Sequence, residues 1–373
     1  QSWRYCTNQR RQSPGRPIMK QPICIMAGGT GGHIFPGLAV AEELIKRGEV
    51  VHWIGSKHGL EGRLVPEQGI PLHYLAVRGL RGKHGLQRIT GPIRLGISVI
   101  QALLLMMRLK PSVCVGFGGY PAGPGGIAAR FMNIPVVVHE QNAVAGMTNR
   151  YLAKFAKRVL TAFPDVIEGA ECVGNPIRPD IDLVGRHRIA EGHQPSGTTR
   201  VLVIGGSQGA RAFNEQLPEK LKEVASHYGI EVTHQTGVSG RDQVEDRYQA
   251  LDLDATVVAF VSRMAEAYRE ADIVVCRAGA LTVSELASAA MPSVLIPFPA
   301  AVDDHQTKNG QQLQNVGAAV IVQEKDLDIF VAKLSDILRA PENLTQMARA
   351  ARSVARPEAT ITVADRVLEV AHG

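Results

Sequence analysis

Four side chains stand where the sequence places chemistry: His33, Glu140, Arg178 and Glu285. His33 follows Gly28-Gly29-Thr30-Gly31-Gly32, between the apolar run Ile23-Cys24-Ile25-Met26-Ala27 and a helical pattern that begins at Phe35. Glycines let a chain take positive φ and come close to a ligand. The helix N-terminus behind them suits an anion, and an imidazole at such a mouth can take a proton near neutral pH. Glu140 and Asn142 close the apolar strand that starts at Ile134. In open parallel sheets ligands bind beyond the carboxyl ends of strands. Glu285 lies one helical turn into the segment after Arg277-Ala278-Gly279, where a carboxylate can accept both hydroxyls of a ribose or act as a first-turn cap. Arg178, in the break Gly174-Asn175-Pro176-Ile177-Arg178-Pro179, has the reach to touch a ligand held between two domains.

The elements that must position these groups follow one pattern. Strands are expected at 23–27, 50–54, 71–75, 113–117, 134–138 and 158–163, then at 200–204, 231–234, 256–260, 273–276 and 293–297, with helical segments between them. Strands alternating with helices make parallel sheets. A second glycine loop runs from Gly118 to Gly126 before a helix expected to start at Ile127, and a third, Gly205-Gly206-Ser207-Gln208-Gly209, repeats the opening logic. The chain is thus two halves of similar design, without a residue-by-residue repeat. In the third loop, Ser207, Gln208 and the backbone amides can hold a diphosphate. The second strand ends Gly55-Ser56-Lys57, with no acidic residue for a ribose, and the first glycines miss the dinucleotide spacing; both count against NAD. Asp303-Asp304-His305 are adjacent and diverge, so no metal is expected there.

With 373 residues, 45% hydrophobic and 20% charged, the chain is an ordinary globular one of two domains. A net charge of +6 suits an anionic partner such as a nucleotide, phosphate or membrane surface. Aromatics at 5% disfavour stacking platforms for nucleic acid. The five cysteines are scattered, three of them in apolar strands, which fits buried thiols rather than a disulfide framework or zinc site. No apolar run is long enough to span a membrane. Residues 1–18 are polar and basic and are expected to be a disordered extension. The basic stretch Arg78 to Arg88, with Arg78, Arg81 and Lys83, precedes an apolar helix expected over 93–109. Leu103, Leu104 and Met107 on that helix, beside the basic loop, are candidates for an anionic membrane or acceptor surface.

The long motifs Gly28-Gly29-Thr30-Gly31-Gly32-His33 with Phe35-Pro36, Gly118-Gly119-Tyr120 with Gly123-Pro124-Gly125-Gly126, His139-Glu140-Gln141-Asn142, Gly174-Asn175-Pro176, Gly205 to Ala210 and Arg277 to Glu285 together resemble the MurG family of bacterial glycosyltransferases. The resemblance runs from Met19 to the C-terminus. It implies an α/β GT-B architecture, two Rossmann-like domains facing across a cleft. The first would span 19–176, rejoined by a C-terminal helix at 357–372, and the second 177–356. The resemblance also implies metal-independent transfer of N-acetylglucosamine from UDP-N-acetylglucosamine to the C4 hydroxyl of lipid I, with inversion, giving lipid II, and no cofactor. The protein would sit peripherally on the cytoplasmic face of the inner membrane, with cell-wall synthesis proteins as further partners.

By motif position, Thr30, Gly31, Gly32 and Asn142 fall on the donor-sugar side. Arg178, Ser207 and Gln208 fall at the diphosphate, and Val261 and Met264 at the uracil. Ala280, Leu281, Thr282, Val283, Ser284 and Glu285 surround the diphosphate and ribose, and Gln306 a donor-sugar position. His305 stands where the family has a glutamine. His33 is the implied base, with Glu140 a supporting carboxylate or alternative base. A UDP-sugar epimerase or hydrolase, an NADP-dependent oxidoreductase and a non-catalytic UDP-sugar sensor are the competing readings.

Overall fold

The computed structural model describes residues 20–57, 59–76, 87–192, 197–206 and 210–373; the side chains of 87–92 and 302 are outside the description. The proposed extension 1–18, and the candidates Arg78, Arg81, Lys83, Ser207 and Gln208, therefore lie outside the described residues.

Among the described residues, thirteen strands form two sheets, all of whose pairs are parallel. The first is built from β1 (Ile23–Ala27), β2 (Val51–Gly55), β3 (Leu72–Tyr74), β4 (Val113–Gly118), β5 (Val136–Glu140), β6 (Arg158–Thr161) and β7 (Glu171–Cys172), in the order β3-β2-β1-β4-β5-β6-β7. The second uses β8 (Thr199–Ile204), β9 (Ile230–Gln235), β10 (Ala255–Val258), β11 (Ile273–Cys276), β12 (Ser293–Leu295) and β13 (Ala319–Ile321), in the order β10-β9-β8-β11-β12-β13. Both orders reverse direction beside their first strand. That is where a crevice opens at the carboxyl ends of a parallel sheet. Both strands flanking each crevice are buried apolar runs, as a sheet covered by helices on both faces requires. Cys24, Cys114 and Cys276 are free thiols buried inside them.

The last helix, Ala359–His372, returns to the first sheet. Val363, Ala364 and Val367 enter the core around Ile23, Ile25 and Val113, and Arg366 pairs with Glu171 at 2.9 Å.

Three boundaries differ from expectation. The first helix starts at Gly31, so Gly31, Gly32 and His33 form its first turn rather than a loop. The helix after β4 is Ala122–Phe131, which takes Gly123, Gly125 and Gly126 out of the second glycine loop. A Cβ on Gly125 would stand 2.5 Å from Met26 Sδ, and one on Gly126 2.4 Å from Leu152 Cδ2. Gly125 and Gly126 serve close helix packing. The long apolar helix is Gln87–Leu109, so Gln87 and Arg88 belong to it and not to the basic loop.

The turns that remain are Gly28-Gly29 and Gly118-Gly119, and they press on each other. A Cβ on Gly119, at φ +78°, would lie 2.0 Å from the Gly28 carbonyl oxygen. Replacement of Gly119 with Ala is expected to cost about 2 kcal/mol or more. Gly48→Ala, at φ +81° with open space around it, should cost only the backbone strain of about 1 kcal/mol. Thermal unfolding of the pair checks this: equal losses would mean that the two turns do not constrain each other.

Candidate functional site

The mouth of the first domain is organised over the end of β4. Because β4 lies between β1 and β5, the segments leaving β1 and β5 must meet across Gly118. That glycine, at φ +99°, carries no side chain, and its missing Cβ would be 3.1 Å from His33 Cε1 and Nδ1. His33 reaches over it to Gln141, with Nδ1 2.9 Å from Gln141 Oε1. Gln141 Nε2 donates to the His139 carbonyl at 2.8 Å and lies 3.0 Å from His139 Nδ1. His139 Nε2 is 2.8 Å from the Gly174 carbonyl. Burial drives the His139 pKa down to about 4, so this ring is neutral at working pH.

Glu140 is 1% exposed, and both its oxygens are committed. Oε1 accepts from the Asn142 amide N–H at 2.9 Å and its side-chain Nδ2 at 3.2 Å. Oε2 accepts from the Gly146 N–H at 3.0 Å and Asn149 Nδ2 at 2.9 Å. Four donors on one buried carboxylate build the loop from 141 to 149 and leave it badly placed to take a proton from a substrate.

Behind the opening turn sits Glu61, fully buried. Its Oε2 accepts from the Gly29 N–H at 3.1 Å, and its Oε1 from the Ser56 N–H at 2.9 Å and hydroxyl at 2.6 Å. The turn expected to face a phosphate thus spends the Gly29 amide on the protein's own carboxylate. Thr30 is exposed, and the Gly31 and Gly32 amides begin the helix Gly31–Lys46. As first-turn groups they have no intrahelical acceptor.

Across the cleft, the helix Ala280–Ser288 starts after Gly279 without a capping side chain, so its first amides, from Ala280 to Thr282, point onward from the end of β11. This helix touches the one that carries His33. Glu285 is half-buried and accepts from the Tyr268 hydroxyl at 3.2 Å. Burial raises its pKa to about 7, against the pull of Arg178 and the Tyr268 bond. Arg178 is exposed at the start of helix Pro179–Glu191 and near enough to act on Glu285. Val261, half-buried, follows exposed Phe260 in the turn after β10, and half-buried Met264 opens the helix Met264–Glu270. Gln306 Oε1 accepts from the Phe298 N–H at 2.8 Å, which holds it at the rim of the second sheet. Leu281 and Thr282 are half-buried while Val283 is buried in the core, so Val283 supports the helix and cannot present its side chain to a ligand.

Two asparagines join the halves, Asn175 from the Gly174-Asn175-Pro176 break and Asn309, which no motif marks. Asn309 is buried; its Oδ1 accepts from the Ala143 N–H at 2.7 Å, and its Nδ2 reaches Ala278 O at 3.2 Å and Asn142 Oδ1 at 3.4 Å. Asn175 Nδ2 donates to Gln141 O at 3.1 Å and to Ser284 Oγ at 3.0 Å. Asn142 and Ser284, expected on the ligand, are therefore also parts of the junction.

The Glu285 arrangement predicts a pH signature. A carboxyl whose folded pKa lies above the ordinary range is favoured neutral by the fold, so ionising it costs stability as pH rises from the usual carboxylate range through about 7. Glu285→Gln, which keeps an acceptor for Tyr268, should raise Tm at pH 8 relative to the unaltered protein and change it little at pH 5. Equal shifts at both pH values would contradict the assignment.

Comparison with known proteins gives this geometry a family. The Glycosyltransferase family 28 N-terminal domain matches residues 23–161, and the family 28 C-terminal domain matches 200–362. A Pseudomonas fluorescens protein named UDP-N-acetylglucosamine--N-acetylmuramyl-(pentapeptide) pyrophosphoryl-undecaprenol N-acetylglucosamine transferase is 47% identical over 356 residues, 94% of this chain and 99% of that one. The protein of the same name from Pseudomonas syringae pv. tomato is 45% identical over 360 residues, 95% and 100% of the two chains. The crystal structure of Acinetobacter baumannii MurG superposes with a TM-score of 0.81 at 39% identity, covering 94% of this chain and 99% of that one. With two parallel-sheet domains in the GT-B arrangement and near-complete coverage on both sides, the chain belongs to the MurG family of family 28 glycosyltransferases.

Proposed function

We propose that this protein transfers N-acetylglucosamine from UDP-N-acetylglucosamine to the C4 hydroxyl of the muramoyl sugar of lipid I, with inversion, and that His33 is its base. The transfer rests on family membership over nearly the whole chain. The same membership favours transfer over the epimerase or hydrolase, oxidoreductase and sensor alternatives.

The residues support a direct displacement. His33 takes the hydroxyl proton as O4 bonds to the sugar C1, and the C1–oxygen bond breaks with its electron pair leaving on UDP. The leaving diphosphate is met by Arg178 and the first amides of helix Ala280–Ser288, donors already aimed before charge develops. Ser207 and Gln208 are assigned to the same diphosphate by motif, and Glu285 to the ribose. Val261 and Met264 flank the uracil position, while Thr30, Gly31, Gly32 and Gln306 border the sugar. Glu140 supports the loop that carries Gln141 and Asn142.

The lipid acceptor needs a surface. On helix Gln87–Leu109, Ile93, Ile97, Ile100, Leu104 and Met107 are each between 46% and 62% exposed. Their spacing alternates four and three, which makes one stripe about 21 Å long. Ala102 and Met106 bury the opposite face. Leu103, expected in the surface, is half-buried against that core and drops out of it. Arg94 and Arg108 are exposed beside the stripe. No described helix is long and apolar enough to cross a membrane. The stripe suits lying on an anionic bilayer, at the cytoplasmic face where a UDP-sugar is supplied.

Transfer of labelled sugar to a lipid I analogue, with and without chelator, tests the reaction. His33→Ala should cut kcat by about 10²-fold or more; near-normal turnover would remove His33 as base. A variant carrying Ile100→Glu and Leu104→Glu should lose binding to vesicles containing anionic lipid while still turning over a detergent-soluble acceptor. Unchanged vesicle binding would place the contact elsewhere.

A further inference from the structure

Two backbone carbonyls determine the proton positions in the chain of side chains behind His33. A carbonyl only accepts, so the 2.8 Å contact between His139 Nε2 and Gly174 O puts the proton of His139 on Nε2. Its Nδ1 is then a bare acceptor. The other carbonyl, that of His139, lies 2.8 Å from Gln141 Nε2, which fixes which end of the amide is nitrogen. The second amide hydrogen faces His139 Nδ1 at 3.0 Å. Both ends of the amide are now assigned, and Oε1 faces His33 Nδ1 at 2.9 Å. An amide oxygen cannot donate, so His33 must.

We propose that Gln141, oriented by His139 and the Gly174 carbonyl, is a positioning residue that holds His33 in its Nδ1–H tautomer and leaves the Nε2 lone pair to receive the proton of the acceptor hydroxyl. The step balances: the hydroxyl proton moves to Nε2, the O4–C1 bond forms, UDP leaves with the electron pair, and the imidazolium keeps its Nδ1–H bond to the Gln141 oxygen. Several features support the arrangement. His139 is fully buried, and burial keeps it neutral, so its Nδ1 stays an acceptor. Gln141 is itself 1% exposed, which prevents the amide from turning to water. Gly118 leaves the space that the imidazole needs to reach the amide. An amide in this place orients the ring without adding charge. The role in catalysis rests on His33 being the base, but the tautomer does not.

The experiment separates the two. Nitrogen-15 NMR of the full chain labelled at histidine reports which ring nitrogen of neutral His33 carries hydrogen, with His33→Ala identifying its signals. The expected result is protonated Nδ1 and bare Nε2, and a shift toward Nε2–H in Gln141→Leu. Protonated Nε2 in the unaltered protein would overturn the proposal without any variant having to fold. In kinetics, Gln141→Leu should lower kcat by about tenfold to a hundredfold and leave KM for UDP-N-acetylglucosamine within about twofold. Unchanged kcat in Gln141→Leu, where His33→Ala is inactive, would overturn the positioning role. Normal kcat in His33→Ala would instead overturn the base assignment while the spectrum still decides the tautomer.

Discussion

The backbone of Gly28 lies so close to Gly119 that no side chain fits between them, and the geometry of the first domain follows from that contact. It brings the turn after β1 and the turn after β4 to one level. The helix that carries His33 then begins immediately, with the imidazole over Gly118. The strand order sets the rest: β5 is the next neighbour of β4, so the polar residues at its end arrive on the other side of the same glycine. The hydrogen-bonded chain His33–Gln141–His139 is therefore assembled across three adjacent strands over a glycine at the end of the middle one.

The second domain faces the opposite demand. A nucleotide site needs donors and a carboxylate held partly away from water before the ligand arrives. Burial of Glu285, the carboxylate proposed for that site, opposes its ionisation and raises its pKa to about 7. The Tyr268 hydroxyl and the charge of Arg178 offset this in part. The junction combines apolar packing of Ala162 and Phe163 into the second domain's core with a few directional bonds from Asn175 and Asn309. Such bonds are strong enough to set an orientation and few enough to be exchanged during a change of domain angle.

Much of this was legible in the sequence. Uninterrupted runs such as Ile23 to Ala27 and Ile273 to Cys276 read as buried parallel strands because both of their faces are covered. The positions of His33 and Glu285 beyond strand ends were readable because their motifs follow such runs, and that of Arg178 because Gly174 to Pro179 breaks the pattern. Helix starts were not. Gly31, Gly125 and Gly126 read as loop, whereas they sit in helices where close packing, invisible locally, demands small residues. The exposed side of helix Gln87–Leu109 was also hidden, since apolar residues lie on several of its faces and only the tertiary contact of Ala102 and Met106 selects one. Asn309 and Glu61 act over separations of 166 and 32 residues and leave no local pattern. Gln141 was visible in its motif, but its role depends on the order β1-β4-β5.

The carboxylate of Glu61 sets which charge the first turn can receive. Two glycine turns follow the first strands of the two sheets, and in isolation each resembles a seat for a phosphate mimic. In the first domain part of that seat is already taken by an internal anion bonded to Gly29 and Ser56. An anionic compound approaching Gly28 and Gly29 meets a like charge behind the backbone, whereas a neutral or cationic one does not. At the first turn a ligand group without negative charge is therefore expected to bind better than an anionic one.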